Sequence, residues 1–221
     1  GYALNGKSGV AFIDISTSGT SVVGSVLDDS EHNLTIPSFT FNGVTYTTAR
    51  VGNNGALVFG TTTGDIIYTN SALPQGIAAL ATSTSGLITG AGNSLAAICA
   101  NWDDLTPGTG ASIKTEQQGN IYIIQWTNED NFNAAGTGTI SFQIQLDLTT
   151  GQIHLVYQDV LYGVPAADNG LLATVGLNYS ATSGLQYSFN TASLVDGQSI
   201  TFTPNVPTFS SCPISDFCSV L

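Results

Sequence analysis

The sequence predicts an all-β chain, an antiparallel β-sandwich or jelly roll in a single domain with a C-terminal tail. Three observations predict it. Apolar and polar residues alternate with period two in nearly every hydrophobic segment, as half-buried antiparallel strands require. Those segments are short and separated by turns carrying Gly and Asn. Helical periodicity is scarce, and 221 residues fit one large sandwich.

The elements follow in chain order. Strands are expected over residues 11–15, 38–41, 44–51 and 56–60, with Asn42-Gly43 and Asn54-Gly55 as hairpin turns. Residues 74–92 read as one helical turn or a long loop. A strand over 96–101 is nearly unbroken in hydrocarbon. The run 120–126 sets Tyr122, Ile124 and Trp126 on one face, after a turn at Gln117-Gln-Gly-Asn120. In 140–147, Ile140, Phe142, Ile144 and Leu146 alternate with Ser141, Gln143, Gln145 and Asp147. A turn at Gly151 then leads to a strand with Ile153, Leu155 and Tyr157 on one face and His154 on the polar face, expected exposed. Further strands are expected over 173–178, 185–190 and 199–203. The sandwich is expected to span 1–204, and 205–221, with two prolines and two cysteines, to form a tail or linker.

Composition excludes several functions. Lys7, Arg50 and Lys114 are the only fixed cations against fifteen Asp and Glu, a formal net charge of -12. Nucleic acid and anionic membranes are therefore poor partners, since both need clustered Lys or Arg. Charged residues are 8 % of the chain, so its polar surface is mostly hydroxyls and amides. No apolar run reaches the roughly 18 residues of a membrane-spanning helix, so no integral membrane protein is expected. The first residues lack Met and a basic stretch before an apolar one, so any leader is expected to be already gone. Cys212 and Cys218 are close enough to close a small disulfide ring in an oxidising compartment, whereas Cys99 reads as a small buried apolar residue.

Four phrases carry a family resemblance: Pro37-Ser-Phe-Thr-Phe-Asn-Gly-Val-Thr-Tyr-Thr-Thr48, Val51-Gly-Asn-Asn-Gly-Ala-Leu-Val-Phe-Gly60, Asn70-Ser-Ala-Leu-Pro74 and Ala100-Asn-Trp-Asp-Asp-Leu105. Followed by Ile124-Gln-Trp126 and Phe142-Gln-Ile-Gln-Leu146, they resemble a β-sandwich module of secreted and cell-surface adhesin-like proteins of Bacteroidetes-type bacteria. The order is also loosely that of nidogen-like extracellular domains. The resemblance covers roughly residues 2–204 and implies a secreted, extracellular or cell-surface location. This chain departs from the pattern in an insertion over 78–92 and in the Cys99-Ala-Asn101 approach to Trp102.

Candidate sites are sparse. Asp28 and Asp29, followed by Glu31, and Asp103 and Asp104, followed by a turn at Thr106-Pro-Gly108, offer the loop carboxylates that Ca²⁺ uses. Solvated turns are the plainer alternative, because exposed carboxylates at ~4 Å repel by only about 1 kcal/mol. His32 is a further candidate metal ligand. Trp102, Trp126 and Tyr122, with Tyr46 and Tyr157, offer a glycan-stacking platform if exposed, and core aromatics otherwise. Glu116, Glu129 and Asp130 are the carboxylates for a sandwich-type glycoside hydrolase.

The expectation is a structural or adhesive extracellular module, not an enzyme. Its partners would be other copies of itself or neighbouring surface proteins, and calcium is the one cofactor considered. In its sharper form the chain is a subunit of a surface filament or sheath, whose spare segments before Phe12 and after Pro204 pair with a neighbour's sheet edge. A glycan-binding, lectin-like module and a glycoside hydrolase are the alternatives.

Overall fold

The computed structural model describes residues 1–24, 26–134 and 136–205, and the tail cysteines Cys212 and Cys218 lie outside them. The described residues form fifteen strands: β1 Tyr2–Lys7, β2 Thr20–Ser21, β3 Glu31–Phe41, β4 Val44–Gly52, β5 Ala56–Phe59, β6 Ile77–Ala78, β7 Ile88–Thr89 and β8 Ala97–Trp102, then β9 Leu105–Gln118, β10 Ile121–Asn131, β11 Ile140–Asp147, β12 Ile153–Asp159, β13 Thr174–Ser180, β14 Ser183–Phe189 and β15 Ser199–Pro204. Two antiparallel sheets face each other, in the orders β1-β15-β12-β11-β10-β9-β2 and β14-β13-β8-β5-β4-β3. The all-β sandwich predicted from alternation is the fold observed. No helix among the described residues is long and apolar enough to cross a membrane.

Alternation builds the core between the sheets. Ile124, Trp126, Phe142, Ile144 and Leu155 from one sheet meet Phe41, Leu57, Phe59, Ile98 and Leu177 from the other. Two aromatic side chains also hydrogen-bond across the gap. The Trp126 indole N–H donates to Gly52 O at 2.9 Å, and the Tyr157 hydroxyl donates to Ala100 O at 2.7 Å. Each buries a large ring while satisfying its polar atom on a backbone carbonyl of the opposite sheet.

What alternation did not reveal is that part of each outer face is also covered. Residues 62–93, of which 74–92 were expected as one helical turn or a long loop, make an excursion holding the short parallel pair β6–β7. It folds Ile66, Ile67, Leu87 and Ile88 onto the outer side of β5 and β8, burying Ala56, Val58, Ala97, Cys99 and Trp102. A strand buried on both faces reads as unbroken hydrocarbon, which explains the run around Cys99. Burial raises the pKa of the Cys99 thiol, as expected of a structural cysteine.

The seven-stranded sheet is covered by the N-terminal segment. β1 pairs with β15 at one edge, and β2 pairs with β9 at the other. Between them residues 8–19 cross the outer face as a strap. Residues 11–15, expected as a strand, are therefore not one, because strands beneath a crossing chain already spend their backbone groups on each other. Glutamine side chains serve instead, since an amide offers a donor and an acceptor much as a peptide does. Gln145 Nε2 donates to Ala11 O, Gln143 bonds both N–H and C=O of Ile13, and Gln125 Oε1 accepts from Ile15 N at 2.9 Å. The amides also link to each other, Gln145 to Gln143 at 2.9 Å and Gln143 to Gln125 at 2.6 Å.

Two further expectations are corrected by this strap. The segment before Phe12 is not spare for a neighbour, because its strand β1 already pairs with β15 of its own chain. His154 is buried rather than exposed, with its Nδ1 2.7 Å from Thr201 Oγ1, and burial lowers its pKa. Gln143→Ala is expected to cost about 1–3 kcal/mol, the desolvation cost of stranding half-buried backbone groups at Ile13. Urea unfolding and amide hydrogen exchange at Ile13 and Ile15 would measure the loss and locate it in the strap.

Candidate functional site

One end of the sandwich gathers acids from separate parts of the chain. A tight turn over residues 27–30 is closed by Ser30 N donating to Leu27 O at 3.2 Å and presents Asp28 and Asp29 to solvent. The phrase Val51-Gly-Asn-Asn-Gly55 anchors it. Asn53 Oδ1 accepts from Ser30 N at 3.1 Å, and Asn54 Nδ2 donates to Asp29 Oδ1 at 2.9 Å. The same two asparagines hold the start of β9, because Asn53 Nδ2 donates to Leu105 O at 2.7 Å and Leu105 N donates to Asn54 Oδ1 at 2.9 Å. Gly55 permits this approach: at φ +75° it packs where a Cβ would lie 2.1 Å from Asn101 O.

The run Trp102-Asp-Asp-Leu105 then divides its side chains. Trp102 lies under the excursion with its indole N–H donating to Ile67 O at 2.6 Å, and Leu105 enters the main core. Asp103 points inward, accepting from Asn131 Nδ2 at 2.7 Å, while Asp104 points outward and accepts from Asn133 Nδ2 at 2.9 Å. Of the four aspartates considered as metal ligands, the structure brings Asp28, Asp29 and Asp104 together, with one oxygen of each within 4.8 Å of the others. Asp103 is separated from them by its burial. The three acids share a depression of about 200 Å³ with Tyr68 and Phe132.

Electrostatics follow from the placement. Burial, then the Asp29 carboxylate, raises the pKa of Asp28. Burial also raises that of Asp104, with Asp29 and Asp28 adding to it. Asp103 is pushed up to about 7, chiefly by burial. Two of the chain's three fixed cations are engaged elsewhere: Arg50 donates to Gly64 O and Asn33 Oδ1, and Lys114 Nζ donates to Ser16 O. His32, also considered as a ligand, lies in β3, where burial and Arg50 lower its pKa.

The burial of Glu129 is not foreseen by the sequence reading. The residue is fully buried, and neither carboxylate oxygen has a hydrogen-bond partner. Burial raises its pKa well above that of a free glutamate, and Asp28 raises it further. Simple alternation from Trp126 turns residue 129 outward. A register shift between Trp126 and Glu129 reverses the phase and turns it in. Asn128 at φ 56° and Gly108, where a Cβ would meet Asn128 O at 2.5 Å, mark the irregularity. The expected turn Thr106-Pro-Gly108 is correspondingly part of β9, where it pairs along β10.

The other candidate sets do not assemble. Trp102 and Trp126 are fully buried and Tyr122 is 7 % exposed, so the stacking platform for glycans is core instead. Tyr157 is buried, and Tyr46 stacks on Phe59 at 5.3 Å. Glu116 pairs with Ile123, six positions along β10 from Glu129, a separation of roughly 20 Å at strand rise. That exceeds the roughly 5–9.5 Å used by paired glycosidase carboxylates. Asp130 accepts from Asn131 N at 2.8 Å.

A family model described as NIDO related matches residues 1–209. No curated protein and no solved structure matches the chain. With that match spanning the whole sandwich, the chain belongs to the NIDO-related family, which points to an extracellular module of β-rich fold.

Proposed function

We propose that the protein is an extracellular structural or adhesive module that works by surface contact rather than catalysis, and that the acidic end of the sandwich is the contacting face. One observation carries this reading. Leu27 and Phe132 are 64 % and 56 % exposed, and they stand beside Asp28 and Asp104 on turns fixed by buried asparagines. Large apolar side chains held in solvent on a hydrogen-bonded scaffold gain most when a partner covers them. The partner proposed is a second copy of the chain, with neighbouring surface proteins as the other class.

Sedimentation velocity tests the reading. The wild type is expected to self-associate reversibly as concentration rises, and the double variant Leu27→Ser with Phe132→Ser to stay monomeric with an unchanged thermal midpoint. Identical behaviour of the two proteins would remove this face from the proposal.

A further inference from the structure

We propose that a cleft between β9, β10 and the segment before β11 binds a neutral saccharide. Its floor is the outward side of β10 at the register shift, where Asn128 and Asp130 flank the buried Glu129. One wall is Gly108 and Thr109 of β9, and the other is Gly136-Thr-Gly-Thr139. The cleft has a volume of about 340 Å³, at the small end of the roughly 300–1,000 Å³ typical of small-molecule pockets. It shares no residue with the depression that holds Asp28, Asp29 and Asp104. Both walls are fixed in place. Asn128 Nδ2 donates to Thr109 O at 3.2 Å and holds the first, while Asp130 Oδ1 accepts from Gly136 N at 3.4 Å and ties the second. The second wall is also pinned from behind, where Gly138 N donates to Tyr162 O at 2.9 Å. Glycine makes that approach possible, since a Cβ would lie 1.9 Å from Tyr162 O at Gly136 and 2.7 Å from Leu161 O at Gly138. Walls fixed before binding spare a ligand the entropy of ordering them.

The lining selects the ligand. Besides glycines it consists of Thr109, Thr137, Thr139, Asn128 and Asp130, with no aromatic side chain and no aliphatic one. Hydroxyl, amide and carboxylate groups match the donors and acceptors of sugar hydroxyls, whereas an apolar ligand needs the mostly apolar lining that this cleft lacks. Charge excludes an anion. None of the fixed cations Lys7, Arg50 and Lys114 lines the cleft, and Asp130 stands within it. Asp130 Oδ1 already accepts from Asn131 N and Gly136 N, which directs ligand hydroxyls to Oδ2. Thr109 and Thr137 are exposed on the facing walls and add hydroxyls from both sides. Without a ring for stacking, binding rests on hydrogen bonds, and a dissociation constant on the order of 1 mM is expected.

The test is an amide-resolved NMR titration of the ¹⁵N-labelled full chain. The probes are maltotriose, cellotriose, mannotriose and tri-N-acetylchitotriose, with trigalacturonate as the anionic counterpart. At least one neutral trisaccharide is expected to shift the amides of Thr109, Asn128 and Gly138 saturably, and trigalacturonate to leave them in place. Asp130→Asn keeps the size of the side chain, and Thr137→Val removes only an exposed hydroxyl. Each is expected to weaken binding by about threefold to tenfold, the loss of one hydrogen bond. The exposed Asp65→Asn, which lies outside the cleft, is expected to bind as the wild type does. Absence of saturable shifts at the cleft with all four neutral probes would overturn the site, as would equal shifts with trigalacturonate. Unchanged affinity in either cleft variant, or equal weakening by Asp65→Asn, would do the same. The amide spectrum of each variant reports its folding independently of binding. Because the shifts are read on the monomer, their absence is distinct from failure of the self-association assay.

Discussion

Replacing Trp126 by alanine is expected to lower the free energy of unfolding by about 3–5 kcal/mol, the range for deleting a large buried aromatic. Three losses coincide at this residue. Its ring is fully buried and stacks on Phe142 with centroids 5.0 Å apart, so truncation opens a cavity between the sheets. Its indole N–H donates to Gly52 O, and truncation removes that bond between the sheets. The bond joins β10 to β4, elements of opposite sheets, so the loss falls on their docking. Trp126→Phe separates these contributions, because it keeps most of the ring and removes the donor, at an expected cost of about 1–3 kcal/mol. Tyr157→Phe removes the matching bond to Ala100 O. Guanidinium unfolding of the three variants provides the check, and a cost below 1 kcal/mol for Trp126→Ala would contradict this description of the core.

Raising the pH is expected to destabilise the protein, by about 2–4 kcal/mol between pH 5 and pH 8. Asp103 is pushed up to about 7 and Glu129 well above the usual glutamate range, in both cases chiefly by burial. Glu31 is pushed up to about 7 as well, by burial and then Asp65. Each of these groups titrates near pH 4 when unfolded, so in the window above pH 4 the folded state retains protons that the unfolded state has released. Their stabilisation is complete below about pH 4 and is lost as pH rises through the folded values, with a ceiling of about 1.4 kcal/mol per group per pH unit.

Other groups act on the acid side. Burial lowers the pKa of His32 and His154, so both oppose folding as pH falls below about 6.5. Asp14 is also lowered, by hydrogen bonds from Ser16 and then Gln125, and Asp147 is lowered because hydrogen bonds from Thr150 and Thr149 outweigh the opposing effect of burial; their contribution is lost below about pH 4. The optimum is therefore expected near pH 5. Thermal midpoints recorded across this range test the sign. Glu129→Gln is expected to flatten the alkaline limb, and a wild-type midpoint that rises from pH 5 to pH 8 would reject the assignment.

The inward faces of β10, β11 and β12 were legible because each alternates cleanly and lines the gap between sheets. Hairpins at Asn42-Gly43 and Asn54-Gly55 were legible from turn chemistry. β1 was not, because of its six residues only Tyr2 is buried and no alternation marks it. β9 was hidden by Pro107, Gly108 and Gly110, which read as a turn but sit where the strand follows the irregular end of β10. In the candidate site, the paired acids were visible as residue types. That Asp104 faces out and Asp103 in, and that Glu129 is buried, depends on asparagine anchors and on one register shift.

By itself the sequence determined the class of fold, the strands bordering the central core, the scarcity of cations and the presence of acid pairs in turns. Only the tertiary structure decided what covers the outer faces, which aromatics are hidden and which acids meet. The reason is range. A strand's inward face is written in its own alternation, but Gln125 binds Ile15 from 110 residues away and Trp102 is covered by a chain excursion. Such contacts leave no local period, because each partner alone is an ordinary polar or apolar residue until folding brings the other to it.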